Sequence, residues 1–241
     1  VAGNVSTVGT NASDITVDTT TATPSLALTS DTNIASDGIS SNGSVTVSGL
    51  ESGATWQYST DGGSNWTTGS GTSFTLASGT YAASALKVRQ TDVAGNVSTV
   101  GTNASGITVD STAPATPTVT LQTSDATTVT FSVTLPSGIQ TGDMAQLYLG
   151  SSALGSAVSV TSGDVTAGSV SVTVAKTLLG SSGVKSIQAE LTDVAGNHSA
   201  KSTALSITYQ PDNAVSDGYI QGASVYLDIN RAGVITTNVD K

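Results

Sequence analysis

The residues best placed to do chemistry are carboxylates that recur in one short loop. Asp-Val-Ala-Gly-Asn occupies 92–96 and again 193–197, and its last four residues stand at 1–4. Of 17 acidic residues only Glu51 and Glu190 are Glu; the rest are Asp. Asp suits two tasks. Its short side chain accepts hydrogen bonds from backbone N–H groups one or two residues on, which caps turns. Its oxygens are also hard ligands for Ca²⁺. Catalytic alternatives lack their parts. The chain has no Cys and a single His, His198, so neither a Cys–His nucleophile nor a zinc site of the usual type can be assembled. Paired carboxylates hydrolyse glycosides when they flank one cleft, but here they fall in a repeated loop. The expectation is a protein that is not an enzyme.

A repeat positions these loops. Sliding the sequence by 92 residues lays 1–20 on 93–112 with two differences, Asp14 against Gly106 and Thr19 against Ser111. The next copy follows 101 residues on and is more divergent, with Ser186–Asp193 echoing Ala85–Asp92. Units of roughly 100 residues are domain-sized rather than solenoid-sized. The frame predicts the C-terminal hairpin and strand of a preceding repeat over 1–18, full repeats over 19–112 and 113–210, and the start of a further β domain over 211–241. On this frame the chain is expected to be a piece of a longer array. Within each repeat apolar and polar residues alternate, as in Val45-Thr46-Val47, Trp56-Gln57-Tyr58 and Val170-Ser171-Val172-Thr173-Val174. Short alternating runs broken every 8–12 residues by Gly, Asn, Asp or Ser read as antiparallel strands, about seven per repeat, which makes a β-sandwich. No helical stripe stands out; KTLLG at 176–180 allows one turn.

Composition narrows the partners. A net charge of −10 with seven Lys+Arg leaves no electrostatic footprint for nucleic acid. No apolar run approaches the length that spans a bilayer, so membrane insertion of this segment is not expected. Ser59-Thr60-Asp61-Gly62-Gly63-Ser64-Asn65-Trp66 matches the S-x-D-x-G-x-x-W box of a self-capped hairpin. It occurs once, which favours a structural turn over a sugar site. Trp56 is expected in the core.

The run 30–76, together with YAASALKVRQTDVAGN at 81–96 and VDSTAPATP at 109–117, resembles bacterial immunoglobulin-like repeats. Those repeats form the extenders of giant RTX-type, type I-secreted surface adhesins. The resemblance is closest over 19–112 and looser over 113–209. It implies an all-β chain of tandem immunoglobulin-like antiparallel sandwiches arranged as a rod, with Ca²⁺ at the junctions and a location at the bacterial cell surface.

With that connectivity, DVAGN is the hairpin between strands six and seven and faces the linker that enters its own domain. Asp92 then meets Asp18, and Asp193 meets Asp110. Two carboxylates held together without Lys or Arg invite a cation. Asn96 and Asn197 offer further oxygens or simply hold the turn; an Asx-capped hairpin that needs no metal is the other reading. Asp31, Asp37 and Asp143 are expected near the Asp110–Asp193 junction. Asp125 holds the place in the second repeat that Asp31 holds in the first, and Asp228-Ile229-Asn230 looks like half of a calcium loop. The expected function is a Ca²⁺-rigidified extender in cell adhesion and biofilm, whose partners are neighbouring repeats. A self-assembling filament or surface-layer coat, with identical chains as partners, is an alternative, and a carbohydrate-binding module is a second.

Overall fold

The computed structural model describes residues 2–211, and the backbone of two further strands at Tyr226–Asp228 and Ile235–Thr237. Asp228 ends the first of these strands, and Ile229 and Asn230, the rest of that candidate loop, lie outside the described residues.

The first repeat is cut into short strands because Gly, Asn and Ser interrupt its alternation every few residues. β1 (Ser25–Leu28), β3 (Ser44–Ser48) and β6 (Ser73–Thr75) form one sheet in the order β1-β3-β6, with β2 (Ile39–Ser40) lying between β1 and β3 in sequence. β4 (Thr55–Ser59), β5 (Thr67–Thr68), β8 (Lys87–Thr91) and β9 (Gly101–Thr102) form the facing sheet, ordered β5-β4-β8-β9. The last strand, β10 (Ile107–Val109), inserts between β2, which it meets in parallel, and β7 (Gly79–Tyr81), which it meets antiparallel. Alternation delivers Val45, Val47, Trp56, Phe74, Leu86, Val88, Ile107 and Val109 to a shared core. Tyr58 stacks on Phe74 with ring centroids 4.2 Å apart.

The second repeat has longer strands. β11 (Val119–Ser124), β12 (Thr128–Thr134) and β16 (Ser169–Ala175) make one sheet. β13 (Met144–Leu149), β17 (Gly183–Thr192) and β18 (Leu205–Tyr209) make the other, with short β14 (Ser152–Ala153) and β15 (Val158–Ser159) along β13. Its core gathers around Phe131, Leu147, Ile187 and Leu191, all fully buried. Both repeats are immunoglobulin-like antiparallel β-sandwiches, in tandem.

Two features depart from the sequence expectation. A short helix, α1, spans Ser162–Ala167, where no helix was expected. Thr161 and Asp164 form a reciprocal capping box and Gly168 closes the other end at φ 70°, so local capping builds the turn without any apolar stripe. Residues 2–18 carry no strand, although the repeat frame expects one there. The same residue types at 94–110 are held by strands of their own sandwich, and nothing equivalent surrounds 2–18.

Candidate metal centre at the repeat junctions

The two hairpins fold by one scheme. The Asp92 N–H donates to the Asn96 carbonyl at 3.1 Å, and the Gly95 N–H to the Asp92 carbonyl at 3.2 Å. The Asn96 N–H and side-chain amide reach Asp92 Oδ1 and Oδ2 at 2.7 and 2.8 Å. At Asp193 the four distances are 3.1, 3.0, 2.8 and 2.9 Å. Gly95 and Gly196 sit at φ 94° and 88°, left-handed values that explain Gly at this position. Each Asn Nδ2 extends onward to a linker. Asn96 donates to the Asp18 carbonyl at 3.0 Å, and Asn197 to the Asp110 carbonyl at 2.7 Å. The linker carboxylates cap their own turns, accepting from Thr20 and Thr112 N–H. Each junction thus brings together a linker Asp, a hairpin Asp and a hairpin Asn.

The second junction is the more enclosed. Asp143, 2% exposed, accepts from the Val194 N–H at 3.0 Å and the Gln140 N–H at 2.7 Å. Burial pushes its carboxyl pKa up, and the charges of Asp193 and Asp110 push the same way. From the first repeat, the loop 30–40 leans across. The Thr32 hydroxyl donates to the Ala195 carbonyl, and the Asn33 amide to the carbonyls of Asp193 and Val194 at 3.3 and 3.1 Å. Ala195 is fully buried there, whereas its counterpart Ala94 is exposed. Asp31 Oδ2 accepts from Ser36 and Gly38 N–H, while its Oδ1 is buried without a partner. Asp37, exposed, caps Ile39, and Asp125 is engaged by Thr127 and Thr128. Thr32 and Asn33 were not among the expected site residues. Their one sequence signal is the length of the 30–38 loop, which the second repeat replaces with the short turn at 124–127.

Among the described residues no three acidic or His side chains lie close enough together to hold a metal ion by themselves. Asp110 and Asp193 act on Asp143 as like charges, and among the described residues no Lys or Arg is paired with a carboxylate, the one such contact being the hydrogen bond of His198 with Glu190 at 2.8 Å. Asp31 Oδ1, on the 30–38 loop, is buried and lacks a donor. Carboxylate and carbonyl oxygens with an Asn amide are the ligands Ca²⁺ takes. Without a cation, the Asn197 amide nitrogen joins Asp193 to Asp110.

The carboxylates respond to pH with opposite signs. Hydrogen bonds, the Asn96 side chain first, hold the Asp92 pKa below its usual value. Asp92 therefore stabilises the fold above its unfolded pKa of about 3.9, and that stability is lost as pH falls through the folded value. Asp143, with a raised pKa, contributes below about 3.9 and loses its contribution as pH rises through its folded value. Asn96→Ala should move the acid-unfolding midpoint of the first repeat to higher pH, read from melting temperatures between about pH 6 and pH 2.

The remaining motifs form a capped turn and part of the first core. Asp61 accepts from the Ser59 hydroxyl at 2.7 Å and the Asn65 N–H at 2.9 Å, and the Asn65 hydrogen bonds hold its pKa well below the usual range. Trp66 lies beneath the Arg89 guanidinium, 4.1 Å from ring centroid to Cζ. Trp56 is buried, as a core residue should be, and its indole N–H donates to the Gly71 carbonyl at 2.9 Å.

No protein-family model matches this chain, and no curated protein matches it. Among solved structures, it is similar to the chicken CNTN1 FN1–FN3 domains, with a TM-score of 0.47 and 16% identity over 72% of this chain. The alignment spans 62% of that chain, less than two thirds of its length. Nothing about ligands carries over.

Proposed function

We propose that this chain is a structural, non-catalytic extender of a secreted bacterial surface adhesin, with its repeats locked end to end by Ca²⁺. The observation that carries the reading is the second junction, where buried Asp143 feels the like charges of Asp110 and Asp193 and, among the described residues, no Lys or Arg pairs with them. Asp193, Asp143, Asp110 and Asn197 would hold the ion there, with Asp31 beside them; Asp92, Asn96 and Asp18 would hold another. The ion would supply positive charge that offsets carboxylate repulsion and removes bending freedom at the linker. The chain's own residues already orient the joint. Asn197 ties the hairpin to the linker, and Thr32 and Asn33 tie the first repeat to the second. Sites with the affinity typical of extracellular Ca²⁺ modules, about 10⁻⁴–10⁻³ M, would fill outside the cell, which is where this reading places the chain.

The test is scattering and thermal melting of the whole chain in EGTA and in Ca²⁺. At about 10 mM Ca²⁺ each site should contribute roughly 1.4–2.7 kcal/mol by mass action. Melting should therefore rise, and scattering should show a less flexible pair of domains. Asp110→Ala with Asp193→Ala should abolish the scattering change and the part of the melting rise that comes from the second junction, leaving the part from the Asp92 site. If wild-type shape and melting ignore Ca²⁺, the hairpins are capped turns and the calcium reading fails.

A further inference from the structure

The second repeat leaves one long sheet edge open. β16 is an outer strand of the sheet β11-β12-β16 and pairs with β12 alone, over its whole length and in unbroken register. Two flanking bonds fix its parity. The Leu135 N–H donates to the Gly168 carbonyl at 2.9 Å, and the Lys176 N–H to the Thr127 carbonyl at 2.8 Å. In an antiparallel ladder, residues that bond to one neighbour alternate with residues that face the other side. Val170, Val172 and Val174 therefore bond to β12. Ser169, Ser171 and Thr173 turn their main-chain N–H and C=O groups to the open side, as does the Ala175 N–H. Among the described residues none of these N–H groups meets an acceptor.

An open edge invites a further strand, and sandwiches blunt it with short strands, bulges or charges. β6, which holds the same place in the first repeat, has only three residues. At the other edge of the same sheet, β11 slips register between Leu121 and Thr123. β16 has none of these devices. Its sequence, SVSVTVA, carries no charge and no Pro, and Ser171, Thr173 and Ala175 are exposed. The strand is also its own complement. Reversed about Val172, it sets Ser171 against Thr173 and Ser169 against Ala175, with open main-chain groups facing open main-chain groups. The same reversal carries Lys176 to Gly168 of a second copy, beside α1 and its Asp164. Lys176 has no carboxylate partner among the described residues, and α1 has no basic residue in its last turn. Opposite charges meet at both ends of such a pair, in a chain whose net charge of −10 otherwise opposes self-association. We propose that the β16 edge is a docking surface for a second copy of this chain, paired antiparallel about a twofold axis at Val172, so that the two copies of the sheet β11-β12-β16 become one. The pairing uses main-chain groups with Lys176 and Asp164, none of them a junction residue, and it involves no calcium.

The test is sedimentation velocity of the whole chain in EGTA from about 10 µM to 1 mM, a span that covers micromolar affinities, with residue-resolved amide exchange alongside. Dimers should form as concentration rises. The Ser171, Thr173 and Ala175 amides should then slow by about tenfold once about nine-tenths of the chains are paired. The Val170, Val172 and Val174 amides, bonded to β12, should be slow throughout. Thr173→Pro removes an N–H that β12 does not use, a place where an edge strand tolerates Pro, and should return the chain to monomers. If that variant loses the melting transition of the second repeat, Ser171→Lys with Thr173→Lys takes its place. Both side chains are exposed, and the pairing would set Lys directly against Lys, weakening dimerisation by about tenfold or more. Lys176→Glu should weaken it as well. Monomers at every concentration, or dimers that tolerate these substitutions, overturn the proposal. So does slow exchange of the Ser171 and Thr173 amides in a monomer, which would mean that another segment of this chain fills the edge.

Discussion

Gly101→Ala should unfold the first repeat at a much lower temperature, while Gly9→Ala in the unaltered chain should leave melting unchanged. Both glycines sit in the same octapeptide, STVGTNAS. A Cβ at 101 would stand 1.9 Å from the Pro24 carbonyl oxygen, whereas a Cβ at 9 would meet nothing within 4 Å. Neither glycine has a positive φ, so backbone strain cannot account for a difference. The clash is with main chain on the strand that opens the sandwich. Relief requires β1 or β9 to move, and both are tied in, β9 through its pairing with β8 and β1 through its pairing with β3. Overpacking of this kind costs about 3 kcal/mol at the upper end of its usual range. For a repeat of this size that is a loss of roughly 12–24 °C in its own transition. Calorimetry on the whole chain should show that transition fall while the second repeat's stays in place. A Gly101→Ala chain that melts like wild type would mean that the close approach of β9 to Pro24 is not maintained in solution.

The contrast shows what a sequence discloses and what it does not. The alternation of Val45-Thr46-Val47 and Val170-Ser171-Val172 announces a strand with one buried face, because the side-chain period of a strand is two. The duplicated DVAGN announces a hairpin, because Gly is needed where φ turns positive and Asp–Asn closes the loop on itself. Which linker each hairpin faces follows from strand direction once an immunoglobulin-like connectivity is adopted. The contribution of loop 30–38 is not legible. Thr32 and Asn33 reach the second repeat only after two sandwiches have formed, and no local pattern encodes a hydrogen bond between residues about 160 apart. The helix at 162–167 escaped because a six-residue helix made by its caps has no periodicity to detect. The burial of 94–110 against the exposure of 2–18 escaped for the plainest reason: the two texts are nearly the same.

Gln90 was equally hidden, and its removal should be as damaging as the glycine change. Its place in the echo of the two repeats is held by Leu191, and both are fully buried. The backbones around them agree. Ser98 Oγ accepts from the Gln90 N–H at 3.0 Å, and Ser199 Oγ accepts from the Leu191 N–H at 2.9 Å. Only the side chains differ in what they do. The Gln90 amide donates to the carbonyls of Ala22 and Gly49 at 2.8 and 2.9 Å, and its oxygen accepts from the Glu51 N–H at 2.8 Å. Leu191 packs among Val, Ile and Phe side chains. Gln90→Leu keeps the volume but strips partners from three main-chain groups, each costing about 1–3 kcal/mol when left unpaired. A loss of about 3 kcal/mol or more is expected, although Leu is what the other repeat uses. Leu191→Gln should fail for the complementary reason, by burying an amide among apolar side chains. The first substitution also bears on the joint. Ala22 follows the linker carrying Asp18, and with its carbonyl released that linker is held by fewer bonds to its domain. Hydrogen exchange should therefore show the Thr20–Thr23 segment loosening in Gln90→Leu and staying ordered in Leu191→Gln. Equal loosening in both would mean that the segment responds to overall stability and that Gln90 does not anchor it.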